Sequence, residues 1–96
     1  KHTRPVKDEV QRIALCGGSG AFLMSDAARA GADVYVTSDV KYHEYFQAEG
    51  RFQLLDVGHY ESEWQTSGLI SNKINEKFPN FAVRLSSTKT NPFTYR

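Results

Sequence analysis

Three short stretches of β-branched, aliphatic and aromatic residues each run into a cluster of glycine or polar residues, and each cluster opens a segment with helical patterning. Residues 10–16 carry Ile13, Ala14 and Leu15 and pass into Gly17-Gly18-Ser19-Gly20. Residues 33–37 read Asp-Val-Tyr-Val-Thr and end at Ser38-Asp39, and residues 52–57 read Phe-Gln-Leu-Leu-Asp-Val and end at Gly58-His59. Strands alternating with helices predict an α/β fold. Crossover helices almost always join parallel strands, so a mostly parallel sheet with helices on its faces is expected.

The helical segments are bounded by their own signals. Residues 21–30 are rich in alanine, and Gly31 stands where a helix C-terminus commonly places glycine. Residues 41–48 predict a short second helix stopped at Gly50. The longest helix is expected over residues 61–78, with Ile70, Ile74 and Phe78 on one face and Pro79 beyond its end. Residues 81–85 read as a fourth strand, which gives the order βαβαβαβ. Ninety-six residues make a single α/β domain spanning 1–96 at most. So short a chain buries a small share of its surface and is expected to lean on a neighbouring segment or subunit.

Twelve Lys and Arg against eleven Asp and Glu leave a formal charge of +1, with the signs interspersed, so nucleic acid and acidic membrane surfaces are not expected partners. No apolar run is long enough for a transmembrane helix. The one cysteine, Cys16, points to a reducing, cytoplasmic compartment and reads as a small buried hydrophobe, since no general base is tied to it. The chain begins at Lys1 with neither an initiator Met nor a signal-peptide pattern, so a piece of a longer protein is expected.

Ligands of parallel sheets bind beyond the carboxyl ends of the strands. Three clusters fall there: Cys16-Gly17-Gly18-Ser19-Gly20, Ser38-Asp39-Val40-Lys41-Tyr42-His43 and Gly58-His59-Tyr60-Glu61-Ser62-Glu63. His59 and Glu63 are four apart at a helix start, so imidazole and carboxylate share a face within reach of one metal ion. The competing account makes Glu63 an acidic first-turn residue, Ser62 and Gln65 a capping box, and His59 an ordinary loop histidine. Asp39 and His43, also four apart, offer a ligand, a general base or a hydrogen-bond acceptor for substrate; the alternative is a helix cap beside an exposed histidine. The glycines suit a tight turn whose N–H groups could hold an anion, or close backbone packing. A dinucleotide fingerprint fails where Leu23 replaces the third glycine.

The same three motifs, in this order and spacing, resemble the C-terminal portion of the Nif-three-like family, the dinuclear metal-centre proteins often labelled GTP cyclohydrolase type 2 homologues. The resemblance covers roughly residues 10–90. It implies one half of a two-lobed α/β protein that encloses two divalent metal ions, of zinc, iron or manganese type, and assembles into a toroidal hexamer. His59 and Glu63 match its two C-terminal metal ligands, while the remaining ligands belong to the N-terminal half, which this chain lacks. The Asp39 to His43 motif matches a family signature beside the metal pocket.

The expectation is therefore the metal-binding half of a metal-dependent hydrolase acting on a nucleotide or another phosphate compound, with Asp39 and His43 as catalytic groups that move protons or orient a small-molecule substrate. Metal lowers the pKa of a bound water towards about 7 in such sites. The rival expectation is a metal-stabilised regulatory or protein-interaction module without catalysis.

Overall fold

A computed structural model describes residues 1–95. They fall into two compact units, one spanning Lys1–Glu63 and the other beginning at Trp64.

The first unit is a three-stranded parallel sheet in the order β1-β2-β3, with β1 at Ile13–Ser19, β2 at Val34–Ser38 and β3 at Gln53–Asp56, flanked by helices. Between β1 and β2 a single turn of 3-10 helix, Ala21–Leu23, leads into α1, Met24–Arg29. Gly31 ends that crossover with a φ of +71°, a left-handed backbone that glycine adopts without penalty. Between β2 and β3 the helix is of the tighter 3-10 type, Tyr42–Ala48. Glu44 opens it by accepting a hydrogen bond from the Lys41 N–H at 2.8 Å. After β3 comes α2, His59–Glu63.

The core lies where the crossovers meet the sheet, with Met24, Ala27, Ala32, Tyr35, Val40, Ala48, Phe52 and Leu54 buried together. Tyr35 and Phe52 pack edge to face, with ring centroids 6.0 Å apart. The buried Tyr35 hydroxyl donates to the Gly20 carbonyl at 2.8 Å, so no polar group is stranded there. Asp33, also buried, accepts from Lys7 Nζ at 2.5 Å and from the Gln11 and Arg12 N–H groups at 3.0 and 2.9 Å. It thereby ties the segment entering β1 to the start of β2. The lysine, followed by the two backbone donors, holds the Asp33 carboxyl at about 2.

Several boundaries differ from the expectation. The glycine cluster does not end β1 at once. Pairing passes from Leu15↔Val36 to Ser19↔Ser38, so four residue steps on β1 face two on β2, and Cys16, Gly17 and Gly18 form a bulge inside the strand. The polar leading segment also has a structural role. Thr3 and Leu54 exchange hydrogen bonds at 3.0 and 2.8 Å, the latter through the threonine hydroxyl, and His2 bridges Leu55 antiparallel, which covers the outer edge of β3.

The expected helix over 61–78 is instead two: α2 closes at Glu63, the end of the first unit, and α3, in the second unit, spans Thr66–Lys77. The interruption falls at Trp64 and Gln65, which form a turn between the two helices. Ile70, Ile74 and Phe78 do share a groove along α3, as their spacing required. The fourth strand is absent: residues 81–85 form no strand, because alternation alone cannot supply a hydrogen-bonding ladder and this unit contains no other strand among the described residues.

Two predictions follow from the packing. Gly20 has an ordinary φ of −119°, but a Cβ there would run into the Tyr35 hydroxyl, Thr37 Oγ1 and Cys16 Cβ, so crowding, not backbone strain, demands glycine. Gly20→Val should cost about 1–3 kcal/mol, read from urea denaturation. Asp33 titrates lower in the folded than in the unfolded chain, so its stabilisation is complete above about pH 4 and is lost as pH falls towards about 2. Acid titrations followed by circular dichroism should show Asp33→Asn less stable at neutral pH and with a shallower acid limb than wild type.

Candidate functional site

The three strand ends bring together three of the four site residues picked out from the sequence. His59 is the first residue of α2 and follows Gly58, whose φ of +92° turns the chain from β3 into the helix. One turn on, Glu63 Oε2 stands 3.1 Å from His59 Nε2. The other ring nitrogen, Nδ1, stands 2.5 Å from Asp39 Oδ2, which arrives from the end of β2. A carboxylate can only accept, so a proton on Nδ1 is donated to Asp39 and a proton on Nε2 to Glu63. All three side chains are about half exposed. The site is an open rim and not a closed cavity.

The bulge in β1 forms the wall of this rim. The Gly18 N–H donates to Ser62 Oγ at 2.9 Å, and Ser62 Oγ in turn donates to the His59 carbonyl at 2.9 Å. Gly18 has a φ of +65°, and a Cβ there would strike Glu63 Oε1 and come within 3.3 Å of His59 Nε2. Glycine at 18 therefore serves both the backbone and the space in front of the His59–Glu63 pair. Ser62 is a residue the sequence reading misplaced as a helix cap. With α2 beginning at His59, Ser62 lies inside the helix and pins the bulge to it. Its i+3 spacing from His59 was the available signal.

Asp39 is not the cap of the following helix either. Lys41 holds that position, and Asp39 itself has a φ of +57°. A left-handed non-glycine residue costs on the order of 1 kcal/mol, while half-exposed ion pairs add little because water screens them. The geometry of Asp39 is thus not accounted for by stability. The neighbouring backbone is fixed by Asp56, whose Oδ2 accepts from the Val40 N–H at 3.3 Å and from the Tyr45 hydroxyl at 3.1 Å. Burial, followed by that carboxylate, pushes Tyr45 up to about 12. His43 lies exposed on the 3-10 helix, and among the described residues it has no hydrogen bond with Asp39, His59 or Glu63. Glu61 faces elsewhere: its carboxylate folds back on Gly58, with Oε1 buried and without a partner.

Electrostatically, the Asp39 hydrogen bond and then the Glu63 charge raise the His59 pKa above its ordinary value. The pair of carboxylates therefore favours positive charge at this imidazole. Two ligand atoms each about 2.0–2.2 Å from one ion lie roughly 3 Å apart, so the 3.1 Å between His59 Nε2 and Glu63 Oε2 is compatible with a shared divalent ion, as it is with a direct hydrogen bond. Among the described residues no cluster of three or more His, Cys, Asp or Glu side chains is disposed to hold an ion. The donor set is compatible with a metal but open on one side.

The chain is similar to several known proteins. Staphylococcus aureus and Staphylococcus epidermidis proteins, each named GTP cyclohydrolase 1 type 2 homolog, are 36% identical over 91 residues and 35% identical over 100 residues. These matches take in 91% and 100% of this chain but 25% and 26% of the relatives, so the chain spans about a quarter of their length. A crystal structure of a Bacillus cereus protein related to NIF3 superposes with a TM-score of 0.74 at 28% identity, covering 100% of this chain and 28% of that one. A Staphylococcus aureus structure gives 0.71 at 35% identity over 91% of this chain and 30% of its own. The family model of Duf34/NIF3 (NGG1p interacting factor 3) matches residues 1–92, and this chain belongs to that family.

Proposed function

We propose that His59 and Glu63 are two protein ligands of a divalent-metal site and that the protein is a metal-dependent hydrolase of nucleotides or related phosphate compounds. The observation that carries this reading is the 3.1 Å approach of His59 Nε2 to Glu63 Oε2, across a wall that only glycine at position 18 leaves clear. The substrate class rests on the relatives, which are named GTP cyclohydrolase 1 type 2 homolog. The complete site holds two ions, of zinc, iron or manganese type, with the remaining ligands from outside these 96 residues. A cytoplasmic, homo-oligomeric assembly, a toroidal hexamer, belongs to the same proposal.

A divalent ion supplies Lewis acidity, which polarises a phosphoryl or carbonyl oxygen and acidifies water. The chain's own groups divide the remaining work. Glu63 brings the charge that a hard cation favours, and His59 brings a neutral nitrogen. The Gly18 wall keeps side-chain bulk out of the space in front of them. His43, exposed on the loop beyond β2, is free to orient substrate or to carry a proton, and Asp39 acts on the same rim.

What favours the rival reading, a metal-stabilised regulatory or interaction module, is the apolar surface of β1. Ile13 and Leu15 on this strand are 58% and 74% exposed. Product formation from GTP and other nucleotides, followed by chromatography so that ring opening and phosphate release are both seen, separates the two readings, since a module without catalysis gives none that depends on Glu63.

The ligand assignment is tested on the natural protein, purified without added metal and analysed for its elements. Glu63→Gln and His59→Ala should each lose most of the bound metal, while Glu61→Gln, altering the carboxylate turned towards Gly58, should retain it. Full occupancy in all three variants would overturn the site, and loss from Glu61→Gln alone would reassign the ligand.

A further inference from the structure

We infer that Asp39 is a positioning residue, whose carboxylate fixes the ring of His59 in the tautomer and orientation that leave Nε2 free for a cation. This inference rests on the proposed metal site and adds to it a residue that does not itself touch the ion. Among the described residues, glycine occupies four places where the chain turns through left-handed backbone, namely Gly18, Gly31, Gly50 and Gly58. At the fifth stands Asp39, with a φ of +57°. The strained position therefore keeps a side chain where the fold elsewhere dispenses with one. The end of that side chain lies 2.5 Å from His59 Nδ1.

The chemistry of the imidazole explains the need. A neutral ring carries one proton, and in solution it resides mostly on Nε2, the nitrogen that faces Glu63. Asp39 at 2.5 Å is the closer of the two carboxylate acceptors, Glu63 standing 3.1 Å from Nε2, so it favours the proton on Nδ1 and leaves Nε2 as the donor atom. It also fixes the ring plane, because a short charge-assisted bond tolerates little rotation. Ligating histidines are commonly supported in this way, and losing the supporting group weakens metal binding about 10- to 100-fold. The support is itself braced: Asp56 holds the adjacent Val40 N–H.

Asp39→Gly provides the sharpest test, because glycine suits the left-handed backbone and removes only the carboxylate. Zinc affinity, measured by competition with a chelating dye, should fall about 10- to 100-fold, while the melting temperature of the metal-free protein should stay level or rise. Asp39→Asn keeps an oxygen but loses its charge, and its affinity should fall between Asp39→Gly and wild type. Nitrogen-15 chemical shifts of the His59 ring supply a readout that a structural role would not move. At a pH where the ring is neutral, metal-free wild type should show the Nδ1–H form and Asp39→Gly a shift towards Nε2–H. An Nε2–H ring in wild type would overturn the inference whatever the variants do, as would Asp39→Gly with wild-type affinity and tautomer. His59→Ala with undiminished zinc affinity would instead overturn the metal site beneath it.

Discussion

The bulge in β1 is the constraint on which the site depends. Were β1 regular, pairing would continue in step beyond Leu15↔Val36, and Gly18 would be displaced from α2. Because extra residues are accommodated between Leu15 and Ser19, the strand bends at Gly18 and its N–H reaches Ser62 Oγ. That one hydrogen bond joins β1 to α2, and Ser62 passes the connection to the carbonyl of His59. The first strand therefore sets the distance between the sheet and the imidazole. A bulge of this kind sacrifices regular pairing locally, which explains why it is found where a backbone must be aimed at something.

The two glycines beside it illustrate how similar sequence conceals different physics. Gly20 is needed because Tyr35, Thr37 and Cys16 fill the space where a side chain would go, so it belongs to the core. Gly18 is needed because of its backbone angle and because a side chain would occupy the region of Glu63 and His59, so it belongs to the rim. Read as a string, Gly17-Gly18-Ser19-Gly20 gives no hint of this division.

The parallel sheet and its crossovers were legible because Val34-Tyr35-Val36 and Leu54-Leu55 are bounded by strong stop signals, and because helix between strands dictates parallel pairing. The pairing of His59 with Glu63 was legible for a similar reason: four residues along one helical turn fix which side chains meet, whichever of two neighbouring residues starts the helix. What escaped the sequence depends on contacts far apart in the chain. The bulge is defined by the register against β2. The role of Ser62 is defined by Gly18, 44 residues away, and the partner of Asp39 is His59, 20 residues away, not His43 at helical spacing. The fourth strand failed in the opposite sense, since Phe81, Val83 and Leu85 have the right alternation without a neighbour to pair with.

The electrostatics of the rim bind these features together. Asp39 and Glu63 approach His59 from opposite ring nitrogens, and both stabilise positive charge on it, which raises its pKa. On the proposed metal reading, a proton on Nε2 competes with the ion for the same place, and the two carboxylates attract either. The asymmetry lies in geometry. Asp39 lies 2.5 Å from Nδ1, whereas Glu63 lies 3.1 Å from Nε2. On the proposed metal reading, one carboxylate is committed to the ring and the other is shared with the ion. The left-handed backbone of Asp39 and the bare Cα of Gly18 are what keep those two duties on separate residues.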